Sequence, residues 1–249
     1  MTLDGKAAAI TGAGSGMGRA TAELFAERGA HVVAVDLDSE AAAETVDRIE
    51  SAGSEATAVE ADASVAADVR EFVERTVEAY GSIDVLHNNA GIPQRSTPVE
   101  DVTEETWDAI IDVNLKSAFL GAKYAVPRMR EQGGGVILNT ASTAGIRPRT
   151  GLSAYCASKG GMITLTKQLA YELADAGIRV NAICPVATDT DMLPEFTSDD
   201  LSIEDMADTI PVGRLARSKD IAHAAAYLAS DEAEMVTGTA LEVDGGRDI

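Results

Sequence analysis

Short apolar runs alternate along the chain with longer stretches whose apolar residues recur every three to four positions. KAAAIT (6–11), HVVAVD (31–36), EATAVEA (55–61), IDVLHNN (83–89), GGVILNTAS (134–142), IRVNAICP (178–185) and ALEVD (240–244) predict strands. Helices are predicted over 17–28, 39–52, 64–80, 104–131, 153–176 and 217–229. Runs such as HVVAV and GVILN are apolar on both faces, as a parallel sheet covered by helices on each side requires. The alternation predicts an α/β architecture with one doubly wound parallel sheet. No linker, repeat or low-complexity tract divides residues 1–249, so a single domain is expected. Only 188–214 breaks the rhythm. It is acidic and poor in strand signals, and it follows the sixth strand, where a mobile substrate lid would sit.

Composition changes this picture in two ways. The 249 residues can bury a sizeable core. No apolar run approaches the roughly 18–20 residues of a bilayer span, and the N-terminus lacks the pattern of a secretory signal. Two cysteines, Cys156 and Cys184, make no disulfide framework, so a cytoplasmic location is expected. The formal net charge is −21, from 20 basic and 41 acidic residues, and only six of the basic residues are Lys. Such a surface disfavours nucleic acid and anionic membrane as partners. It also suits a halophilic protein, whose self-repulsion concentrated salt would screen; an ordinary acidic protein is the alternative.

TGAGSGMG (11–18) lies where the first strand ends and a helix begins. A helix N-terminus offers unpaired N–H groups and a positive dipole end, and glycines let a pyrophosphate approach the backbone. A tight turn packed closely on the helix would also use glycines. The strict G-x-G-x-x-G spacing is not met; the pattern is Gly12-x-x-x-Gly16-x-Gly18. Asp36 closes the second strand, 20 residues after Gly16, where an acid can accept from adenosine ribose hydroxyls. No basic residue stands beside it in VDLD, which favours NAD over NADP. Asp36 could instead begin the next helix, but Asp38 and Ser39 are better placed as caps.

Tyr155 and Lys159 stand four apart on a predicted helix and so share one face. An ammonium about 4 Å from the phenol is worth up to ~4 kcal/mol at an effective dielectric near 20, or roughly three pK units. That would bring a tyrosine within reach of proton exchange with an alcohol at neutral pH. Taken alone, the spacing more often describes an ordinary surface pair.

TGAGSGMG, NNAG (88–91), Asn114, Ser142 and Tyr155-x-x-x-Lys159, in this order, resemble the short-chain dehydrogenase/reductase family in its compact branch of Rossmann-fold enzymes. Ser142 stands 13 residues before Tyr155, as is usual there. The resemblance implies that Gly12, Ser15, Gly16, Met17 and Gly18 cradle the NAD pyrophosphate. It places Asp36 and Leu37 at the adenosine ribose, and Asp62 and Ala63 beside the adenine. Asn89, Ala90 and Gly91 would line the cofactor cleft, and Pro185, Thr188 and Thr190 the nicotinamide end. Tyr155 would be the acid/base, Lys159 its partner and a ligand of the nicotinamide ribose, and Ser142 the holder of the substrate oxygen. Asn114 would interrupt the long helix and help relay protons through water. Where the family usually reads Pro-Gly, this chain has Pro185-Val186, so either the backbone is extended there or its path differs.

The activity implied is NAD-dependent interconversion of a small-molecule secondary alcohol and a ketone. The alternatives are a 3-oxoacyl-thioester (acyl-carrier-protein) reductase, to whose anionic carrier Arg147 and Arg149 could respond, and a sugar or cyclic polyol dehydrogenase. A sensor that binds NAD without turnover would typically have lost the tyrosine or lysine. Pocket candidates are Ile92, Gln94, Thr143, Ala144, Leu152, Val186 and Met192. His31, His87 and His223 are scattered, and no cluster has metal-ligand spacing, so no metal is expected. Cys156 would point about 100° around the helix from Tyr155. The helices carrying AFLGAKYAV (118–126) and GGMITLTKQLAYEL (160–173) are apolar over much of their circumference, which fits subunit contacts in a homotetramer, a dimer of dimers as in relatives.

Overall fold

The computed structural model describes residues 2–196 and 202–248. Strands β1 (Ala7–Thr11), β2 (His31–Asp36) and β3 (Ala56–Glu60) alternate with helices α1 (Gly16–Glu27), α2 (Ser39–Ser51) and α3 (Ala66–Tyr80). Next come β4 (Val85–Asn88), α4 (Glu104–Ile111), α5 (Ser117–Gln132), β5 (Gly135–Thr140), α6 (Ser153–Leu173) and β6 (Ile178–Pro185). The chain continues through β7 (Thr188–Asp189), α7 (Ile203–Asp208), β8 (Ala216–Arg217), α8 (Ser218–Ala229) and β9 (Ala240–Val243). Seven strands form one sheet in the order β3-β2-β1-β4-β5-β6-β9, and every pairing is parallel. The strand order reverses between β1 and β4, and a cleft opens at such a switch point, beyond the carboxyl ends of the strands.

Alternate residues of each strand feed opposite cores. Ala8 and Ile10 of β1, Val32 and Ala34 of β2 and Leu138 of β5 join Phe25 of α1 and Leu228 of α8 on one face. Ala9, Val33, Val35 and Ile137 join Phe72 of α3, Met129 of α5 and Leu173 of α6 on the other. Period-two side-chain direction and helices on both faces account for the doubly apolar strands.

The helix predicted over 104–131 is interrupted at Asn114, as the family resemblance implied. Residues Asp112–Lys116 form one turn of π-helix between α4 and α5, with Asn114 wholly buried in it. Such turns disturb the regular hydrogen-bond register and are common at functional sites. The segment expected as a lid is partly ordered: β7 pairs with β8, Leu193–Phe196 form a 3-10 turn, and α7 begins with a Ser202/Asp205 capping box. Its middle, 197–201, lies outside the described residues.

Candidate active site

The glycine loop fills the gap between β1 and α1, and each glycine has its own reason. A Cβ on Gly18 would run into the Gly12 carbonyl. A Cβ on Gly14 would sit 2.7 Å from Ala41 Cβ and 2.8 Å from Asp36 Oδ2. Gly12 and Gly16 have φ of 65° and 50°, which L-residues rarely adopt. Ser15 occupies the N-cap of α1 in extended conformation without capping it, and the first turn holds no acid. The leading N–H groups of a twelve-residue helix are therefore left for an external anion. This cradle fits a dinucleotide pyrophosphate, with Met17 reaching the neighbouring cavity.

Asp36 ends β2 beside this loop. Its Oδ2 accepts the Gly14 N–H at 2.7 Å and its Oδ1 the Asp38 N–H at 3.0 Å. Asp38, not Asp36, caps α2. Two of the carboxylate's roughly four lone-pair positions are thus occupied, leaving acceptor capacity for a sugar hydroxyl. Arg19, the cation on this loop, donates to the Gly14 carbonyl and is paired with Glu44. Leu37 is exposed and Ala63 half-buried, while Asp62 accepts from the Ser64 N–H and hydroxyl.

A buried polar knot ties the ends of β1, β4 and β5. Thr11 Oγ1 accepts the N–H groups of Asn89 and Ala90, both at 3.0 Å. Asn89 Nδ2 donates to the carbonyls of Thr11 and Gly12, which fixes its amide orientation. Thr140 Oγ1 donates to Asn89 Oδ1 at 3.2 Å and lies 2.9 Å from His87 Nε2. A hydroxyl has one proton, so His87 must donate from Nε2, leaving Nδ1 as a buried acceptor with no partner among the described residues. Burial pushes the His87 pKa down to about 3, and the ring is neutral.

Lys159 reaches this knot from α6. It is buried, and its Nζ donates to the Thr140 carbonyl at 2.7 Å. A Cβ on Gly91 would stand 3.2 Å from Asn114 Oδ1 and 3.5 Å from Lys159 Nζ, so glycine clears the approach. The Asn114 amide brackets the Ile92 backbone: Oδ1 accepts the Ile92 N–H at 2.7 Å, and Nδ2 donates to its carbonyl at 2.9 Å. Nδ2 also faces Ser158 Oγ at 3.4 Å.

Ser142 leaves β5 in extended conformation, caps the next turn by accepting the Ala144 N–H, and lies close enough to the Tyr155 side chain to oppose its upward pKa shift. Ser142, Tyr155 and Lys159 line one cavity of about 330 Å³, with Asn89, Pro185, Val186, Thr188 and Thr190 on its walls. Phe196 meets the Tyr155 ring edge-on, 5.1 Å between centroids. The electrostatics differ from the expectation of an ammonium that acidifies the phenol. Lys159 Nζ lies 5.7 Å from the Tyr155 ring centroid and is committed to a carbonyl. Burial pushes Tyr155 up to about 12, with the Ser142 hydroxyl opposing it, and pushes Lys159 down to about 8.

Of the pocket candidates, Ile92, Thr143, Ala144, Leu152, Val186 and Met192 line the cavity. Gln94 is not among its lining residues. It is buried, and its Oε1 accepts the Tyr155 N–H at 2.9 Å. Val186 resolves the departure from Pro-Gly: no described non-glycine residue has positive φ, and Val186 packs into the core while donating its N–H to Val243. Cys184 is buried, its thiol pushed up to about 12 by burial, and is no nucleophile. Thr140, Thr11, Phe196 and Arg247 were not anticipated. Only the strand-end positions of the two threonines, facing NNAG, offered a signal.

A glycine cradle, a strand-end acid and a Ser–Tyr–Lys cavity at the switch point define a dinucleotide-binding oxidoreductase. A family model described as enoyl-(acyl carrier protein) reductase matches residues 12–248. A solved 3-ketoacyl-(acyl-carrier-protein) reductase from Brucella melitensis, complexed with NADH, is 45% identical with a TM-score of 0.94, covering 100% of both chains. The 4-formylbenzenesulfonate dehydrogenase of Comamonas testosteroni is 40% identical over 100% of each chain. The cyclohexanol dehydrogenase of an Acinetobacter species is 40% identical over 98% of this chain and 95% of its own. The chain belongs to the short-chain dehydrogenase/reductase family and is an oxidoreductase.

Proposed function

We propose that this protein is an NAD-dependent dehydrogenase/reductase that interconverts a secondary alcohol and a ketone. The observation that carries the reading is the convergence of Ser142, Tyr155 and Lys159 on one cavity beside the glycine loop. Tyr155 gives its phenolic proton to the forming alcohol in reduction and takes it back in oxidation. Ser142, which lines the same cavity beside Tyr155, holds the substrate oxygen in line with it. Lys159, pinned by the Thr140 carbonyl, keeps two N–H protons for the ribose and for proton exchange. Asn114 steadies the Ile92 backbone opposite Lys159. When bound, the cofactor supplies the hydride acceptor or donor at its nicotinamide. Asp36, with Arg19 held by Glu44, favours the unphosphorylated adenosine ribose of NAD over NADP.

The pocket walls, Leu152, Val186, Met192 and Phe196, suit a compact apolar body. A ring-bearing alcohol therefore fits better than a sugar; a 3-oxoacyl thioester remains the second reading, which the Brucella melitensis neighbour supports. Half-exposed Trp107 and Phe119 and largely exposed Tyr171 lie on α4, α5 and α6, which supports assembly as a homotetramer through these helices. No helix among the described residues is long and apolar enough to cross a membrane, and we place the protein in the cytoplasm.

Four measurements test this reading. Tyr155→Phe is expected to lower kcat by about 10²–10⁴-fold in NADH oxidation over a ketone panel while cofactor binding persists. Oxidation needs Tyr155 deprotonated, so its rate rises with pH from 7 towards 10, and Tyr155→Phe removes that rise; wild-type activity in the variant contradicts the assignment. Light scattering should give four times the 25.9 kDa chain mass, and a monomer contradicts the assembly. The melting temperature should climb between dilute buffer and molar KCl, because salt screens the net charge of −21; a flat response rules out salt adaptation.

A further inference from the structure

The protein carries a net charge of −21, yet among the described residues no carboxylate lines the cavity that holds Ser142 and Tyr155. Its charged lining residues are Lys159, Arg149 and Arg247. Lys159 belongs to the reacting end. The two arginines reach the cavity from different segments, one from the loop after β5 and one from the C-terminal segment after β9.

These arginines differ in what already holds them. Arg149 Nη2 bonds both oxygens of Asp248, at 3.1 and 3.2 Å, and faces Thr143 Oγ1 at 3.4 Å, one residue beyond Ser142. Arg147 approaches Asp248 at 3.6 Å and Glu242 at 3.7 Å. The Asp244 carboxylate is taken by the N–H groups of Gly246 and Asp248. Glu242, Asp244 and Asp248 bring carboxylate oxygens within 4.8 Å of one another, but none lines the cavity. Arg247 is the group left over. Its guanidinium has no hydrogen bond or ion pair with any described residue, although it stands half-buried. Burial and the neighbouring Arg149 both disfavour its charge, with Asp248 and Asp244 opposing them from outside the cavity.

A half-buried guanidinium on a cavity wall, with no hydrogen bond to any described carboxylate, keeps its donors available to an anion in the cavity. A guanidinium offers a planar fork suited to the two oxygens of a carboxylate or sulfonate. We propose that Arg247, backed by Arg149, forms an anion-recognition subsite, and that the substrate is an alcohol or ketone with a compact apolar body ending in a carboxylate or sulfonate. Leu152 and Met192 contribute apolar wall to the same cavity. The anionic end docks on Arg247 and orients the carbonyl towards Ser142 and Tyr155. This specificity assignment rests on the alcohol/ketone reading above.

The test compares 4-oxocyclohexanecarboxylate and 4-oxocyclohexanesulfonate with the neutral 4-oxocyclohexanecarboxamide at fixed ionic strength, following NADH oxidation. Wild-type enzyme should favour the anions in kcat/KM by about 10- to 100-fold, the range of a charge-assisted bidentate contact. In Arg247→Gln the anion-to-amide ratio should fall towards one, and Arg247→Lys should restore part of it. A merely structural arginine would lower all three substrates together and leave the ratio unchanged, which overturns the proposal. A wild-type ratio near one also overturns it, even if the glutamine variant does not fold, while leaving the alcohol/ketone reading intact. No NADH oxidation with any ketone defeats that reading, and this proposal with it.

Discussion

The hydroxyl of Thr140 ties the end of β5 to that of β4, and the site depends on that junction. It bonds Asn89 on one side and His87 on the other, while the carbonyl of the same residue fixes the Lys159 ammonium. Asn89 in turn holds the carbonyls of Thr11 and Gly12, where the glycine loop begins. The glycine cradle and the Tyr–Lys helix are far apart in sequence, yet both are referred to one buried set of hydrogen bonds. Unpaired polar groups at such depth are costly, so few alternative arrangements compete.

Burial then sets the chemistry. In water a phenol and an ammonium four residues apart would acidify the phenol. Here desolvation dominates both groups: Tyr155 is held up at about 12 and Lys159 down at about 8. The free enzyme therefore keeps Tyr155 as a proton donor, the form that ketone reduction requires. The Ser142 hydroxyl is the group in contact that favours the phenolate. A cavity of this kind gains selectivity from its other lining groups, among them Arg247, which has no partner among the described residues.

Much of this was legible in the chain. Doubly apolar runs such as HVVAV announced a covered parallel sheet, and each of the seven predicted strands is in it. The order of TGAGSGMG, NNAG, Ser142 and Tyr155-x-x-x-Lys159 named the family before any coordinate. Other features were hidden because they depend on which neighbour wins a contact. Periodicity carried 104–131 as one helix; the interruption at Asn114 came only from the family resemblance, because a single π-turn is too short to register in an apolar pattern. Gln94 read as a pocket residue from its place after NNAG, yet it turns inward to bond the Tyr155 N–H. Arg247 carried no signal, because a lone arginine near a chain end is ordinarily solvated. The knot at Thr140 was invisible for a similar reason: a strand-end threonine is common, and only tertiary pairing gives it three partners.

The most direct test of this account is the NADH affinity of Thr140→Val, measured by fluorescence titration. Valine keeps the shape and the backbone carbonyl but leaves the His87 Nε2–H and the Asn89 amide oxygen unpaired. The account predicts an affinity weakened by about tenfold or more in a protein whose circular dichroism is unchanged. A variant that binds NADH as tightly as wild type and turns over at the same rate would contradict it.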